Sequence, residues 1–208
     1  HGSAELIGRV YLLEQEELSP GNSCLAQLRF QSSTVCCPKD HFILRRYSPM
    51  TTIGGGLVLD VNPRKHHKKD LSEVIPQLRK LWSALKEKNP NIDSILADYL
   101  VRLHGQSGVS LADLVARTGL LEDPLLELLQ KLDSVTLTHQ DPVWAVHNAD
   151  LEVLKDQIVV FLEQFHSSHP LATGISREEL RERFFSRAPN SHFLFVLKNL
   201  EEEGRIQA

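Results

Sequence analysis

Two hydrophobic periods divide this chain. Up to about residue 62, apolar and polar positions alternate or fall in short runs, and from residue 71 they recur every three or four residues. A period of two marks a half-buried strand, and a period near 3.6 marks an amphipathic helix. Residues 4–13 are apolar with Glu5 and Arg9 spaced through them, and Leu25, Gln27 and Arg29 alternate with Ala26, Leu28 and Phe30. Residues 34–37, 42–44 and 57–61 read as further short β-like runs. Turn chemistry separates them at Ser19-Pro20-Gly21-Asn22 and Pro38-Lys39-Asp40. Short strands between turns, with no helical period, predict a small barrel or sandwich.

After the basic stretch 63–69, Leu71, Val74, Ile75, Leu78, Leu81, Trp82 and Leu85 form one apolar stripe, which predicts a helix ended by Asn89-Pro90-Asn91. A helix follows on Ile92, Ile95, Leu96, Tyr99 and Leu100. A second begins near Ser110, an N-cap with Asp113 three residues on, and stops at Gly119. A third spans 123–132 with Pro124 at its first position. Residues 135–138 and 143–146 then predict a hairpin. The same order returns from residue 150: a helix on Leu154, Ile158, Phe161 and Leu162, one capped by Ser176, and one on Phe193, Val196, Leu197 and Leu200 that ends at Gly204. Val109 matches Ile175, and Leu129 and Leu132 match Leu197 and Leu200, an offset of 66 to 68 residues. Three helices and a hairpin is the winged-helix order. The second copy has only the start of its hairpin before Ala208, and residues 147–150 join the copies as a rigid junction or a hinge. The expected fold class is therefore α+β. Its parts are a partial β-barrel over 1–62, a basic linker and helix over 63–90, and tandem winged helices over 91–149 and 150–208, the last truncated.

Charge changes the picture in one respect. Residues 1–70 carry nine Lys and Arg against seven Asp and Glu, whereas residues 71–208 carry 14 against 20. Phosphate neutralisation supplies much of nucleic-acid affinity, so the acidic helical part offers at most a local patch. Cys24, Cys36 and Cys37 are odd in number and have no metal-ligand spacing, which points to a reducing cytoplasm. No apolar run is long enough for a membrane span, and no signal peptide is visible.

Candidate chemistry is sparse. Gly54-Gly55-Gly56 lacks the Lys-Ser/Thr and the following helix of a phosphate loop, so a glycine turn or bulge is the expectation. No triad, carboxylate pair or metal cluster stands out, so neither a catalytic nor a metal site is expected. An enzyme using Cys36-Cys37 would require a low-pKa thiol. RNA-contact candidates are Arg45 and Arg46, of which alternation would bury one stem and expose the other guanidinium, and the run Arg64, Lys65, His66, His67, Lys68 and Lys69, which is either a solvated linker or a phosphate contact. On the third helices the first copy offers only Gln130 and Lys131. The second offers Arg187, Asn190, Ser191, His192, Lys198 and Asn199. Glu201-Glu202-Glu203 places acid at a helix C-terminus, against the macrodipole.

Read together, the segments HGSAELIGRVYLL, LSPGNSCLAQLRF, DHFILRRYSPMTTIGGGLVLD and NPRKHHKK resemble the third barrel domain and exit linker of selenocysteine-specific elongation factors. Tandem winged helices after the barrel resemble the same family. Lys39-Asp40-His41-Phe42 departs from its usual Gly-Asp-Arg-Phe. The resemblance implies a parent that binds GTP and Mg in a domain preceding this chain. It also implies a parent that carries selenocysteinyl-tRNA to the ribosome at recoded UGA codons, and that grips a selenocysteine-insertion mRNA hairpin through further modules. This chain would then be a non-catalytic, cofactor-free, cytoplasmic piece with no membrane contact: a tRNA- and ribosome-facing barrel near Arg45, Arg46 and 64–69, and a winged-helix spacer. The competing reading is a winged-helix DNA-binding regulator with an N-terminal β domain.

Overall fold

The computed structural model describes residues 5–65, 70–138, 141–172, 174–186 and 188–207, which divide into two compact units. The first comprises residues up to Leu96 together with Arg117–Gly119. The second comprises Ala97–Ala116 and the chain from Leu120 onward.

The first unit is built from two antiparallel ladders and a helix. Strand β1 (Gly8–Leu12) pairs with β2 (Ala26–Phe30), and β3 (His41–Arg45) pairs with β4 (Thr52–Leu57). The run at 34–37 is not a strand. The Asp40 carboxylate accepts the Cys37 N–H at 2.7 Å, which spends on a local turn a donor that a ladder would need. The glycine triplet lies inside β4, and of the turn or bulge expected there the structure has the bulge. Gly54, Gly55 and Gly56 face Leu44, Ile43 and Phe42, and the register slips by a bulge beside them, between Leu44 and Arg45. Glycine is required at 55, where a Cβ would fall 2.7 Å from the Phe42 carbonyl oxygen, and at 56 the Phe42 ring covers the position and would have to turn away from any Cβ. Beyond Leu57 the strand reading of 57–61 ends in an Asx turn, in which Asn62 N–H donates to the Asp60 side chain.

Helix α1 (Leu71–Lys86) buries Val74, Leu78 and Leu81 of the stripe predicted by its period, together with Ala84. It ties back to the β region through Arg79, whose Nε and Nη2 donate to Glu14 at 2.7 and 2.8 Å. Two more contacts secure this unit. Lys39 Nζ meets Asp93 at 2.6 Å, and Arg117 Nη2 meets Asp60 at 2.6 Å with both side chains buried.

The second unit holds both winged-helix copies. In the first copy, α2 (Ile92–His104, whose last eight residues belong here) leads through a 3-10 turn (Gly105–Ser107) to β5 (Val109–Ser110), α3 (Leu111–Thr118) and α4 (Glu122–Gln130). Strands β6 (Val135–Leu137) and β7 (Trp144–His147) follow, in sheet order β5-β7-β6. Ser110 caps α3, accepting the Asp113 N–H at 3.0 Å while its hydroxyl donates to the Asp113 carboxylate. Helix α4 starts one residue before the expected point, so Pro124 is its third residue.

The second copy consists of α5 (Asn148–Ser168), α6 (Arg177–Phe185) and α7 (Asn190–Glu202), with no strand among the described residues. Its chain ends α7 on a Schellman turn instead. Gly204 lies at φ +67°, its N–H donates to Glu201 O, and Arg205 N–H donates to Leu200 O. Strand β7 runs into α5 without a linker. Val146 shares a core with Leu154, Ile158, Phe193 and Leu197, so the two copies bury one another's apolar surface.

Candidate nucleic-acid interface

The sequence-derived candidates fall in separate places. Arg45 ends β3 and Arg46 opens the β3–β4 loop, closed by Arg46 N–H to Thr51 O at 2.8 Å. The expected split between a buried stem and an exposed guanidinium is absent, because both arginines are exposed. Ile43, Arg45 and His41 share the outward face of β3, while Phe42 and Leu44 turn inward and Arg46 has already left the ladder. Tyr47 beside them is 83% exposed, and Ile43, Met50 and Ile53 are exposed as well. Arg64 and Lys65 are exposed on the segment leaving the β region, and Arg64 O accepts from Gln27 Nε2 at 2.9 Å. His66, His67, Lys68, Lys69 and Arg187 lie outside the described residues.

Lys198 projects from α7 with its side chain 72% exposed, but Glu202 one turn on lies 3.6 Å from its Nζ and offsets its charge. The other α7 candidates change role. His192 is fully buried: its Nε2 pairs with Gln106 O of the first copy at 3.1 Å, and its ring meets Phe185 edge-on. Burial pushes its pKa down, and the Gln106 carbonyl opposes that only in part. Among the described residues His192 Nδ1 and the Ser191 hydroxyl find no hydrogen-bond partner. His192 therefore packs the two copies together and is withdrawn from solvent. Asn199 is also occupied, its side-chain amide donating to Phe195 O. Helix α4 exposes Glu122, Asp123 and Glu127, and its neighbour Lys131 sits 4.0 Å from Glu127. A helix with that surface repels phosphate.

Two features had no sequence signal on their own. Lys155 is buried within α5 between Glu152 at 2.9 Å and Glu203 at 2.5 Å. Its desolvation, which lowers the pKa, is outweighed by these two carboxylates, and the net shift is upward. This gives the acidic end of α7 a structural purpose, because Glu203 compensates a buried ammonium. Around the junction, burial and the Arg102 charge lower the His147 pKa. Burial raises that of Asp98, but the Ser134 hydroxyl and Arg102 outweigh it and hold Asp98 low. His147 Nδ1 accepts the Ala149 N–H, and Asn148 donates to Asp133 O and accepts from Thr136. These bonds tie residues 147–149 to one another and to the segment 133–136. Among the described residues no group of three His, Cys, Asp or Glu is placed to hold a metal ion, and no helix is long and apolar enough to cross a membrane.

Two family models match the chain. The β-barrel domain of selenocysteine-specific elongation factor matches residues 1–65, and the winged helix of elongation factor SelB matches residues 159–208. The chain belongs to the selenocysteine-specific elongation factor family. Among curated relatives, the Desulfomicrobium baculatum selenocysteine-specific elongation factor is 28% identical over 211 residues, covering 99% of this chain and 32% of that protein. The Escherichia coli (strain K12) factor is 24% identical over 210 residues, covering 100% of this chain and 30% of that one. The chain thus spans about a third of the length of the family members it matches. A crystal structure of bacterial selenocysteine-specific elongation factor EF-Sec superposes with a TM-score of 0.64 at 18% identity, covering 95% of this chain and 28% of that one, which supports the fold. The reading as a winged-helix transcriptional regulator finds no support. The relatives are elongation factors, and α4, the helix a regulator would place in a DNA groove, is acidic.

Proposed function

We propose that this chain supplies the barrel and winged-helix portion of a factor that delivers selenocysteinyl-tRNA to the ribosome at recoded UGA codons. The observation that carries the reading is the match along the whole chain to selenocysteine-specific elongation factors, with family models at both ends. In this reading the β region meets tRNA or ribosome through Arg45, Arg46, Arg64, Lys65, His66, His67, Lys68 and Lys69. The helical unit is a spacer toward modules that read an mRNA hairpin. Its acidic α4 and its shared core fit a strut better than a binder, with Lys198 and Arg187 as its basic contributions. Nucleotide binding with Mg, and GTP hydrolysis, would belong to the two thirds of the relatives' length that this chain does not match.

Fluorescence-anisotropy titration of the 208-residue chain at low salt tests the proposal, using selenocysteine tRNA, a hairpin RNA and duplex DNA. The expected order is tRNA tightest, with binding weakened by an R45Q/R46Q variant. Duplex DNA bound more tightly than tRNA would refute it. Hydrolysis of GTP by the chain is expected to stay at the buffer rate.

A further inference from the structure

One face of the β1–β2 ladder carries an unusual arrangement of charge. Side chains alternate along a strand, so Arg9 and Tyr11 of β1 share a face with Gln27 and Arg29 of β2. Arg9 and Arg29 are direct cross-strand partners, with backbones about 5 Å apart. Like charges opposed in this way destabilise a ladder, and among the described residues neither arginine has an acidic ion-pair partner. Arg29 is nevertheless held in one pose. Its guanidinium carbon lies 4.3 Å from the Tyr11 ring centre, and its Nη2 and Nε donate to Gln27 Oε1 at 2.8 and 3.3 Å. Gln27 is itself buried and anchored, through Nε2, to Arg64 O on the segment leaving the β region. An open depression of about 350 Å³ lies alongside, lined by Gln27, Leu28, Arg29, Val61, Asn62, Pro63 and Lys65.

We infer that Arg9, Arg29 and Lys65 form a phosphate clamp for an RNA backbone. With Nε and one Nη2 hydrogen spent on Gln27, the fixed guanidinium is left with its Nη1–Nη2 end, two parallel donors that match a phosphate's oxygens, and pre-ordering it by Tyr11 and Gln27 removes part of the entropy cost of binding. An anion lying between or across Arg9 and Arg29 would relieve their opposed charges. The depression is open and has no glycine-rich cradle, so it suits a chain of phosphates passing over it more than an enclosed nucleotide. Tyr11, 38% exposed, leaves a ring edge beside that path for a ribose. The inference rests on the proposed RNA-carrying role and extends it to residues outside the Arg45–Arg46 and 64–69 sets, apart from Lys65.

The test is the salt dependence of tRNA binding by the full chain and by R9Q/R29Q. Each phosphate left without its cation should lower the slope of log affinity against log salt by about 0.7 to 0.9, so the double variant should drop by about 1.5 and bind roughly tenfold or more weakly at about 50 mM salt. R29K, which keeps the charge but not the fork, should keep the slope and bind a few-fold more weakly. Amide resonances of residues 9–11 and 27–29 in the unsubstituted protein should shift on adding tRNA, a readout that needs no variant to fold. Wild-type binding with an unchanged R9Q/R29Q slope and no shifts at these amides would overturn the clamp while leaving the RNA-carrying role standing. Failure of the wild type to bind any RNA would overturn both. If a poly-glutamate peptide displaced tRNA and lost affinity equally in R9Q/R29Q, the RNA assignment would be wrong and an acidic protein segment would be the ligand.

Discussion

The buried pair of Arg117 and Asp60 permits a sharp test of what holds the first unit together. Their side chains are 8% and 4% exposed and 2.6 Å apart. At an effective dielectric near 20 the attraction is about 6 kcal/mol, most of which is offset by stripping water from two charges. The pair's net contribution is therefore small, yet removing one member leaves the other buried and uncompensated, at a cost of about 3–5 kcal/mol. D60N and R117M should each destabilise by that order. D60L/R117M should cost clearly less than the sum of the two, because no charge is then left stranded. The assay is urea unfolding in a W144F background, where Trp82 on α1 is the remaining tryptophan and reports this unit. The more exposed pair Lys39–Asp93 of the same unit, 2.6 Å apart, is the control, and K39M should cost under about 1 kcal/mol. Single-variant losses below about 1 kcal/mol, or additive losses in the double variant, would refute the reasoning.

Other expectations follow from the same geometry. Burial lowers the pKa of both His147 and His192 from an ordinary 6.5, so the unfolded chain takes up those protons first. Stability of the second unit is complete above about pH 6.5 and falls as pH drops from there toward the folded values, by at most about 1.4 kcal/mol per pH unit for each histidine. H192Q should flatten the fall in melting temperature between about pH 7.5 and 5.5, and a wild-type melting temperature constant over that range would contradict the burial argument. Gly108 sits at φ +62°, and a Cβ there would fall 2.5 Å from Trp144 and Val146, so G108A should cost at least about 2–3 kcal/mol in chemical denaturation. Burial raises the thiol pKa of Cys24 and Cys36, so mass spectrometry should show both alkylating more slowly than a free thiol at about pH 7.5. Rapid modification of Cys36 would reopen a reactive-thiol role.

The helical part was legible because its signals are local. The Ser110–Asp113 box, the Ser176 cap and the Gly119 and Gly204 stops each depend on residues within four positions, and all four form as read. The β part was less so. At 34–37 a local turn, with Asp40 accepting the Cys37 N–H, took the place of a strand, whereas the extent of β4 over 52–57 depended on its pairing with β3. Burial of charge was the hardest feature to see. Lys155 occupies a position that the helical period marks as inward, but its tolerance there depends on Glu203, 48 residues on. His192 looked like a contact residue on a third helix and instead packs against Gln106, 86 residues earlier. Arg29 lay in an alternating strand, and only the pairing with β1 revealed its opposed arginine and its tyrosine.

The linker-free passage from β7 into α5 sets how any two ligands held by the helical unit would sense each other. Flexible tethers give a second binding event an effective concentration fixed by chain statistics, which falls as the tether lengthens. Here the 21-residue α5 is a rod about 30 Å long whose root is bonded at Asn148 and whose side shares a core with Val146. Avidity across it is a matter of geometry alone. Sites at its two ends would be engaged together when their partners match its length and pitch, and a partner displaced by one helical turn would reach only one of them.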